Sequence, residues 1–363
     1  MRYLLILLNF FEKYLSSLLV KDSVFIGEKI KMRSLIFIFL KSLMFLLLLS
    51  FKLSAQTPLP IIKPANYATL KNFEDSLQIL SDSMVYANEE IVRTKSCYAF
   101  IKKFVTALKT PQSYLYKFDS LRTVSIVQSP DNKFRIITWN LLRHNTTYRY
   151  FGTIQMNSPK IQLCPLFDAS PLIRNVEDTI CNKDSWYGCM YYSIVPKLVG
   201  GKTIYTMFGW KGANQREIKK VMETMYFDKN KKPVFGYPMI YIKKDNQEKT
   251  IKRFVLSYNK DAVVKLNYDA ELNQIIFDHL VSKQALQGKP EMPGKPRGFD
   301  MFPDGTYEAF DWKINRWEYL EELSNITYRT APTPVPFFDN SKPKEKGYIK
   351  TKKVKVIGDE EKK

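Results

Sequence analysis

Ser185–Trp210 reads SWYGCMYYSIVPKLVGGKTIYTMFGW, and this stretch decides the fold. Two aromatic and β-branched runs flank Gly200-Gly201, a pair that supplies the positive φ a tight reversal needs. The reading is a β-hairpin. Strict alternation directs Tyr187, Cys189, Tyr191 and Val195 to one face and Trp186, Met190, Tyr192 and Ile194 to the other. Both faces are largely apolar, which predicts a hairpin central to a sheet covered on each side. Tyr191 and Tyr192 are then both mostly buried. Trp186, nearer the open end and beside Asp184, is the better ligand contact of the three.

Outward from the hairpin, period-two runs continue in both directions. Before it come Arg122–Val127, Phe134–Trp139, Tyr148–Met156 and Ile161–Phe167. Ser129-Pro130-Asp131-Asn132 joins the first two, with Pro where φ near −65° is wanted. After it, Lys211–Lys220 reads as a polar loop or short helix. Then come Val221–Phe227, Pro233–Phe235, Met239–Lys243, Ile251–Tyr258, Ala262–Tyr268 and Gln274–His279. Gln284 to Pro303 is a Pro/Gly-rich loop. A last hairpin, Thr306–Trp312 and Arg316–Leu320, turns at Ile314-Asn315. Turn residues separate these runs and no helical pattern interrupts them, so antiparallel pairing in a meander follows.

Ahead of the strands the period changes to the helical one. Leu70, Phe73, Leu77, Leu80 and Met84 form one stripe. A break at Ala87-Asn88 starts a second helix, capped by Asn88, with Cys97, Tyr98, Ile101, Val105 and Leu108 facing inward and Thr110-Pro111 as its stop. The fold class is α+β: an N-terminal helical hairpin followed by an extensive antiparallel β-meander, a twisted sheet or barrel-like, with a small propeller as the alternative. SPDNKFRIITW and FPDGTYEAFDW hint at a repeat, but a propeller needs several comparable blades.

With 363 residues and 45% hydrophobic content, a substantial core is affordable in one or two domains. Met32 to Gln56 has the parts of a secretory signal: Arg33, the apolar Leu35 to Phe51, and Leu53-Ser54-Ala55 before the cut. Cleavage before Gln56 is expected; an uncleaved anchor is the other reading, since about 20 apolar residues span a bilayer. Residues 1–31 then read as an upstream extension, 56–66 as a linker, 67–330 as a single β-rich domain and 331–363 as a Lys/Pro-rich disordered tail. Localisation is therefore exported: periplasm, cell surface or secreted, with membrane contact only through an uncleaved signal.

A net charge of +20 invites a nucleic-acid reading. Most of the basic residues are Lys spread through turns rather than Arg forks, and export removes the protein from most nucleic acid, so no nucleic-acid partner is expected. Cys97, Cys164, Cys181 and Cys189 show no CxxC, and His144 and His279 are the only histidines. Neither a metal site nor a cofactor is predicted. In an oxidising compartment Cys164 and Cys181 have a route to pairing, while Cys97 and Cys189 read as buried thiols.

Trp186-Tyr187-Gly188 with Tyr191-Tyr192, Phe208-Gly209-Trp210, Phe277-Asp278-His279-Leu280, and Pro303-Asp304-Gly305 with Tyr307 carry a resemblance. Over roughly residues 67–325 the chain resembles an uncharacterised family of exported proteins from Bacteroidetes-type bacteria. The resemblance implies export and a shared fold, not a reaction.

The chemistry is sparse. Asp278 beside His279 offers an acid/base pair, but strand neighbours face opposite sides and cannot touch readily. His144 is explained by a polar turn. GxSxG, a Walker loop and GxGxxG are all missing from the sequence. Asp184, Asp278, Asp304 and Asp311 lie near strand ends, where two facing carboxylates would make a glycosidase-like site, although Asp304-Gly305 is equally a turn. Trp139, Trp186, Trp210, Trp312 and Trp317 suggest either a stacking surface for sugar or peptide or cross-strand aromatic packing. The rings follow the buried alternation, which favours packing. The sequence thus points to a non-catalytic envelope or secreted protein that binds a glycan, peptide or envelope protein. Its site candidates are Trp186, Asp184, Asp278, His279 and Asp304. A carboxylate-dependent hydrolase acting on an envelope or extracellular polymer is the alternative.

Overall fold

The helical stripes become α1 (Pro64–Tyr86) and α2 (Glu90–Leu108) in a computed structural model that describes residues 61–143, 146–244, 246–290 and 297–321. The expected signal, upstream extension and Lys/Pro-rich tail lie outside the described residues, as does His144. Helix α1 starts inside the expected linker because Pro64 sits in its first turn, where a missing N–H costs nothing. In α2 the buried line is Cys97, Phe100, Phe104 and Ala107-Leu108, while Tyr98 is 47% exposed. Two phenylalanines outcompete the expected tyrosine and valine for the inner face. Glu89, not Asn88, occupies the cap position, and Arg93 instead reaches back to the carbonyls of Ala87 and Asn88 (2.9 and 2.7 Å).

The strands form three open sheets. The first is β1 (Ser125–Gln128), β2 (Phe134–Leu142), β3 (Tyr148–Met156) and β4 (Leu163–Phe167), in that order. The second runs β5 (Cys181–Asn182), β9 (Pro233–Phe235), β8 (Glu217–Phe227), β7 (Lys202–Gly212), β6 (Met190–Val199), with β12 (Arg253–Asn259) laid along β8. The third runs β11 (Gln247–Ile251), β10 (Ile240–Lys244), β16 (Arg316–Leu320), β15 (Met301–Lys313), β14 (Gln274–Ser282), β13 (Leu266–Asp269). The fold is therefore α+β with antiparallel sheets that do not close into a barrel. One pair, β10 with β16, is parallel.

Packing stacks these elements in layers. Trp139 on β2 meets Phe100 of α2 with ring centroids 5.4 Å apart, while Phe134, on the other face of β2, meets Tyr205 of β7 at 4.9 Å. On its far side the second sheet meets the third. Phe254 packs on Phe277 and Phe310, each 5.0 Å away, and the Trp317 indole N–H donates to Thr206 Oγ1 at 2.9 Å. The order is helices, first sheet, second sheet, third sheet. The central hairpin lies in a layer covered on both sides, which is why both of its faces are apolar.

Gly200 and Gly201 (φ 54° and 75°) make its two-residue turn. A bulge between Tyr191 and Ser193 breaks the strict alternation. Ile194 faces Met207 and Tyr191 faces Gly209, so Ile194 shares a face with Tyr191 and Val195 does not. Other boundaries shift as well. Of Lys211–Lys220 only 213–216 is the expected loop: β7 extends to Gly212, β8 starts at Glu217, and aromatic rings accept the flanking lysines. Lys220 Nζ lies 4.7 Å over Tyr192. The run read as Ile251–Tyr258 is cut at Lys252, leaving β11 in the third sheet and β12 in the second. The Pro/Gly-rich loop holds a short helix α3 (Lys283–Leu286). All four cysteines are free thiols, Cys164 on β4 and Cys181 on β5, in different sheets.

Candidate functional site

Pairing between β14 and β15 is interrupted where Asp278 faces Tyr307 and Leu280 faces Pro303. One residue of β14 and three of β15 leave the ladder there, and Gly305 (φ 94°) makes the tight bend. This offset carries His279 to Asp304: Nδ1 lies 2.9 Å from Oδ2. Asp304 Oδ1 accepts the Thr306 backbone N–H at 2.9 Å and its hydroxyl at 2.8 Å. Partial burial works against the Asp304 carboxylate, but the Thr306 N–H, His279 and the Thr306 hydroxyl together hold it below the usual carboxylate range. Asp278 points the other way, as strand alternation requires. It is buried, accepts the Lys265 backbone N–H, and burial raises its pKa against that bond.

His279 and Leu280 open onto a cleft of about 850 Å³ between the second and third sheets. Phe254 to Ser257 of β12 form one wall, and β10, β11, β15 and β16 supply the other. Ile242, Phe254, Leu280 and Met301 leave apolar surface partly exposed there. Charges at the rim are paired within the protein. Lys249 Nζ lies 2.7 Å from Glu177, Lys244 lies 3.2 Å from Glu321, and the Tyr319 hydroxyl donates to Glu308. Asp311, at the far end of β15, pairs with Lys313 at 3.0 Å.

The other two candidates lie elsewhere. Asp184 is an exposed turn residue paired with Lys183 at 2.6 Å. Trp186 is 0% exposed, so the expectation that it offers a ligand contact is corrected: it has no surface to offer. Its indole N–H donates to the Tyr191 hydroxyl at 2.9 Å, and Tyr191 in turn donates to Glu223. Glu223 is ion-paired with Arg253, and neither side chain has any exposure. Arg253 also donates to the Val176 carbonyl and lies 4.9 Å over the Tyr187 ring. Sequence reasoning passed over Glu223 and Arg253 because each sits in a run read simply as a strand. A lone Glu within Val221-Met222-Glu223-Thr224-Met225 was the available signal.

Lys211 is another buried charge. Its Nζ donates to the carbonyls of Gly188 (2.6 Å) and Tyr187 (3.0 Å) and to Ser170 Oγ (3.1 Å), with the Tyr150 ring 4.2 Å away. Burial pulls its pKa down to about 8; the charges of Asp168 and Glu223 oppose that pull and Lys219 adds to it. An unfolded lysine titrates near 10.4. Between those values the unfolded chain binds the extra proton at this group, so the Lys211 contribution to stability rises with pH across roughly 8 to 10, opposed by the buried thiols, which hold their protons longer in the folded chain. The expected contribution approaches about 1.4 kcal/mol per pH unit within that window. Urea midpoints at pH 8 and 9.5 measure it as a difference between chains: stability should rise less with pH in Lys211→Met than in the parent, and an equal slope in the variant refutes the assignment.

Comparison with family models, curated proteins and solved structures finds no match for this chain.

Proposed function

We propose that this chain is an exported, non-catalytic binding protein that holds an extended ligand, a peptide or a glycan, in the cleft between the second and third sheets. Export rests on the signal-like segment and on the resemblance to an exported family. The observation that carries the binding reading is the make-up of the cleft: partly exposed apolar residues line it while the charges at its rim are paired with one another. Such a surface gains by burial and is already electrostatically satisfied, which suits holding a ligand better than transforming one.

The test uses the full chain, a β-linked hexasaccharide, a muropeptide and end-capped octapeptides of alternating apolar and polar residues. At least one is expected to bind, and Leu280→Arg is expected to weaken that binding at least about tenfold with little change in melting temperature. Equal binding by the variant would refute the cleft as the site.

The hydrolase reading draws on one observation, the His279–Asp304 pair. Asp304 occupies Nδ1, leaving the other ring nitrogen for a ligand, and a carboxylate-oriented imidazole is the usual form of a general base. Turnover of the same oligosaccharide or peptides, abolished in His279→Ala, would establish it over the binding reading.

A further inference from the structure

We propose that the ligand is an extended polypeptide segment recognised through its backbone, added as a strand to the free edge of β12; this rests on the reading of the cleft as a binding site. The argument begins with which backbone groups of β12 are already used. In an antiparallel pair, residues alternate between directing both N–H and C=O toward the partner and directing both away. The Lys260 N–H donates to the Arg216 carbonyl at 3.0 Å, and Lys260 and Arg216 are directly opposed in the β12–β8 register. Counting back by twos, Tyr258, Leu256 and Phe254 point at β8.

The other side of β8 gives the same phase independently. The Ala213 N–H donates to the Glu217 carbonyl at 3.1 Å, so the odd-numbered residues of β8 serve β7 and the even-numbered ones serve β12. Arg253, Val255 and Ser257 therefore direct their backbone groups away from the sheet. The Arg253 N–H is satisfied by the Glu177 carbonyl at 3.1 Å. Among the described residues, no backbone partner faces Val255 or Ser257, and both line the cleft. The turn Gly298–Asp300 lies against the Ser257 end of this strand but makes no backbone hydrogen bond to Val255 or Ser257. Gly298 packs on the face of β12, against Ser257 Cβ and the Glu217 carboxylate, so closely that a Cβ there would lie 2.6 Å from Ser257.

Two donors and two acceptors in alternation, at strand spacing, match a polypeptide backbone. A glycan has hydroxyls but no such N–H/C=O repeat, so the same edge discriminates between the two ligand classes. A strand laid there turns alternate side chains toward Leu280, Met301 and Ile242 of the third sheet and the others toward solvent. The occupant is thus a separate peptide with apolar residues at every second position. Wall contacts supply affinity and the paired backbone supplies direction and register.

The experiment uses the full-length chain and octapeptides alternating valine with threonine, lysine or glutamate, each end-capped. In the free chain the Val255 and Ser257 amides should exchange with solvent rapidly at both low and high protein concentration; a saturating peptide should slow them at least about tenfold. Val255→Pro removes an outward N–H and no ladder bond, as an edge strand tolerates, and should weaken binding about tenfold or more. A peptide N-methylated at alternate residues tests the same bond without altering the protein, so a misfolded proline variant does not rescue the idea. Amides already protected in the free chain, by a second copy or by residues 322–363, overturn it. So does an N-methylated peptide that binds as tightly as its parent, which would leave the cleft as the binding site. Binding of the hexasaccharide but of no peptide has the same meaning, and binding of neither overturns both readings.

Discussion

Replacing Arg253 by alanine is expected to lower the unfolding free energy by about 3–5 kcal/mol, the cost of stranding a buried charge. Glu223 has no exposure, and the guanidinium is its ionic partner. With the arginine gone, the carboxylate keeps only the Tyr191 hydroxyl among its described side-chain partners and must either stay charged in an apolar layer or take up a proton. The Val176 carbonyl and the Tyr187 ring lose their contacts in the same step. The paired change Glu223→Leu with Arg253→Met should recover most of the loss, because it removes both charges together. Urea titrations of the three chains measure this. A single variant within about 1 kcal/mol of the parent would mean that water reaches the pair.

Trp186→Ala should be comparably severe, about 3–5 kcal/mol, as for other fully buried aromatic side chains. Its ring packs against the strand at Gly152, where an added Cβ would meet Trp186 Cη2 at 3.2 Å, so the space left by alanine cannot be filled from β3 without moving backbone. The indole also donates to Tyr191, which joins it to the Glu223–Arg253 pair. Thermal melts combined with binding at the cleft separate this role from a ligand contact: stability should collapse while any affinity retained by folded protein is unchanged. A normal melting temperature with lost binding would restore the contact reading.

Local pattern carried the elements well. The Gly-Gly hairpin, the two helices, β3, β9 and β16 were all legible, because periodicity and turn chemistry act within a few residues. What was not legible depends on contacts between distant segments. Whether Lys252 interrupts one strand or separates two is decided by which sheet each half joins, and both halves carry the same strand-like composition. The register offset that brings Asp304 to His279 follows from a mismatch of three residues against one across β14 and β15. Both residues stood out by type. Asp278 also stood out, and its adjacency to His279 pointed toward the wrong partner. Trp186 was misplaced for a related reason: nearness to the open end of a hairpin says little about exposure once another sheet covers that end.

The order in which the chain visits its sheets sets how it can fold. The first sheet is contiguous, and its ladder is complete by Phe167. The second and third are interleaved: after β9 the chain builds the β10–β11 hairpin, returns to lay β12 on β8, and only then makes β13. Neither sheet can finish before the other has begun, so the two form a single cooperative unit of long-range contacts, and such units fold slowly. Until Arg253–Asn259 has emerged, the outer edge of β8 at Ile218, Lys220 and Met222 has no ladder partner, and during that interval pairing between chains competes with pairing within one.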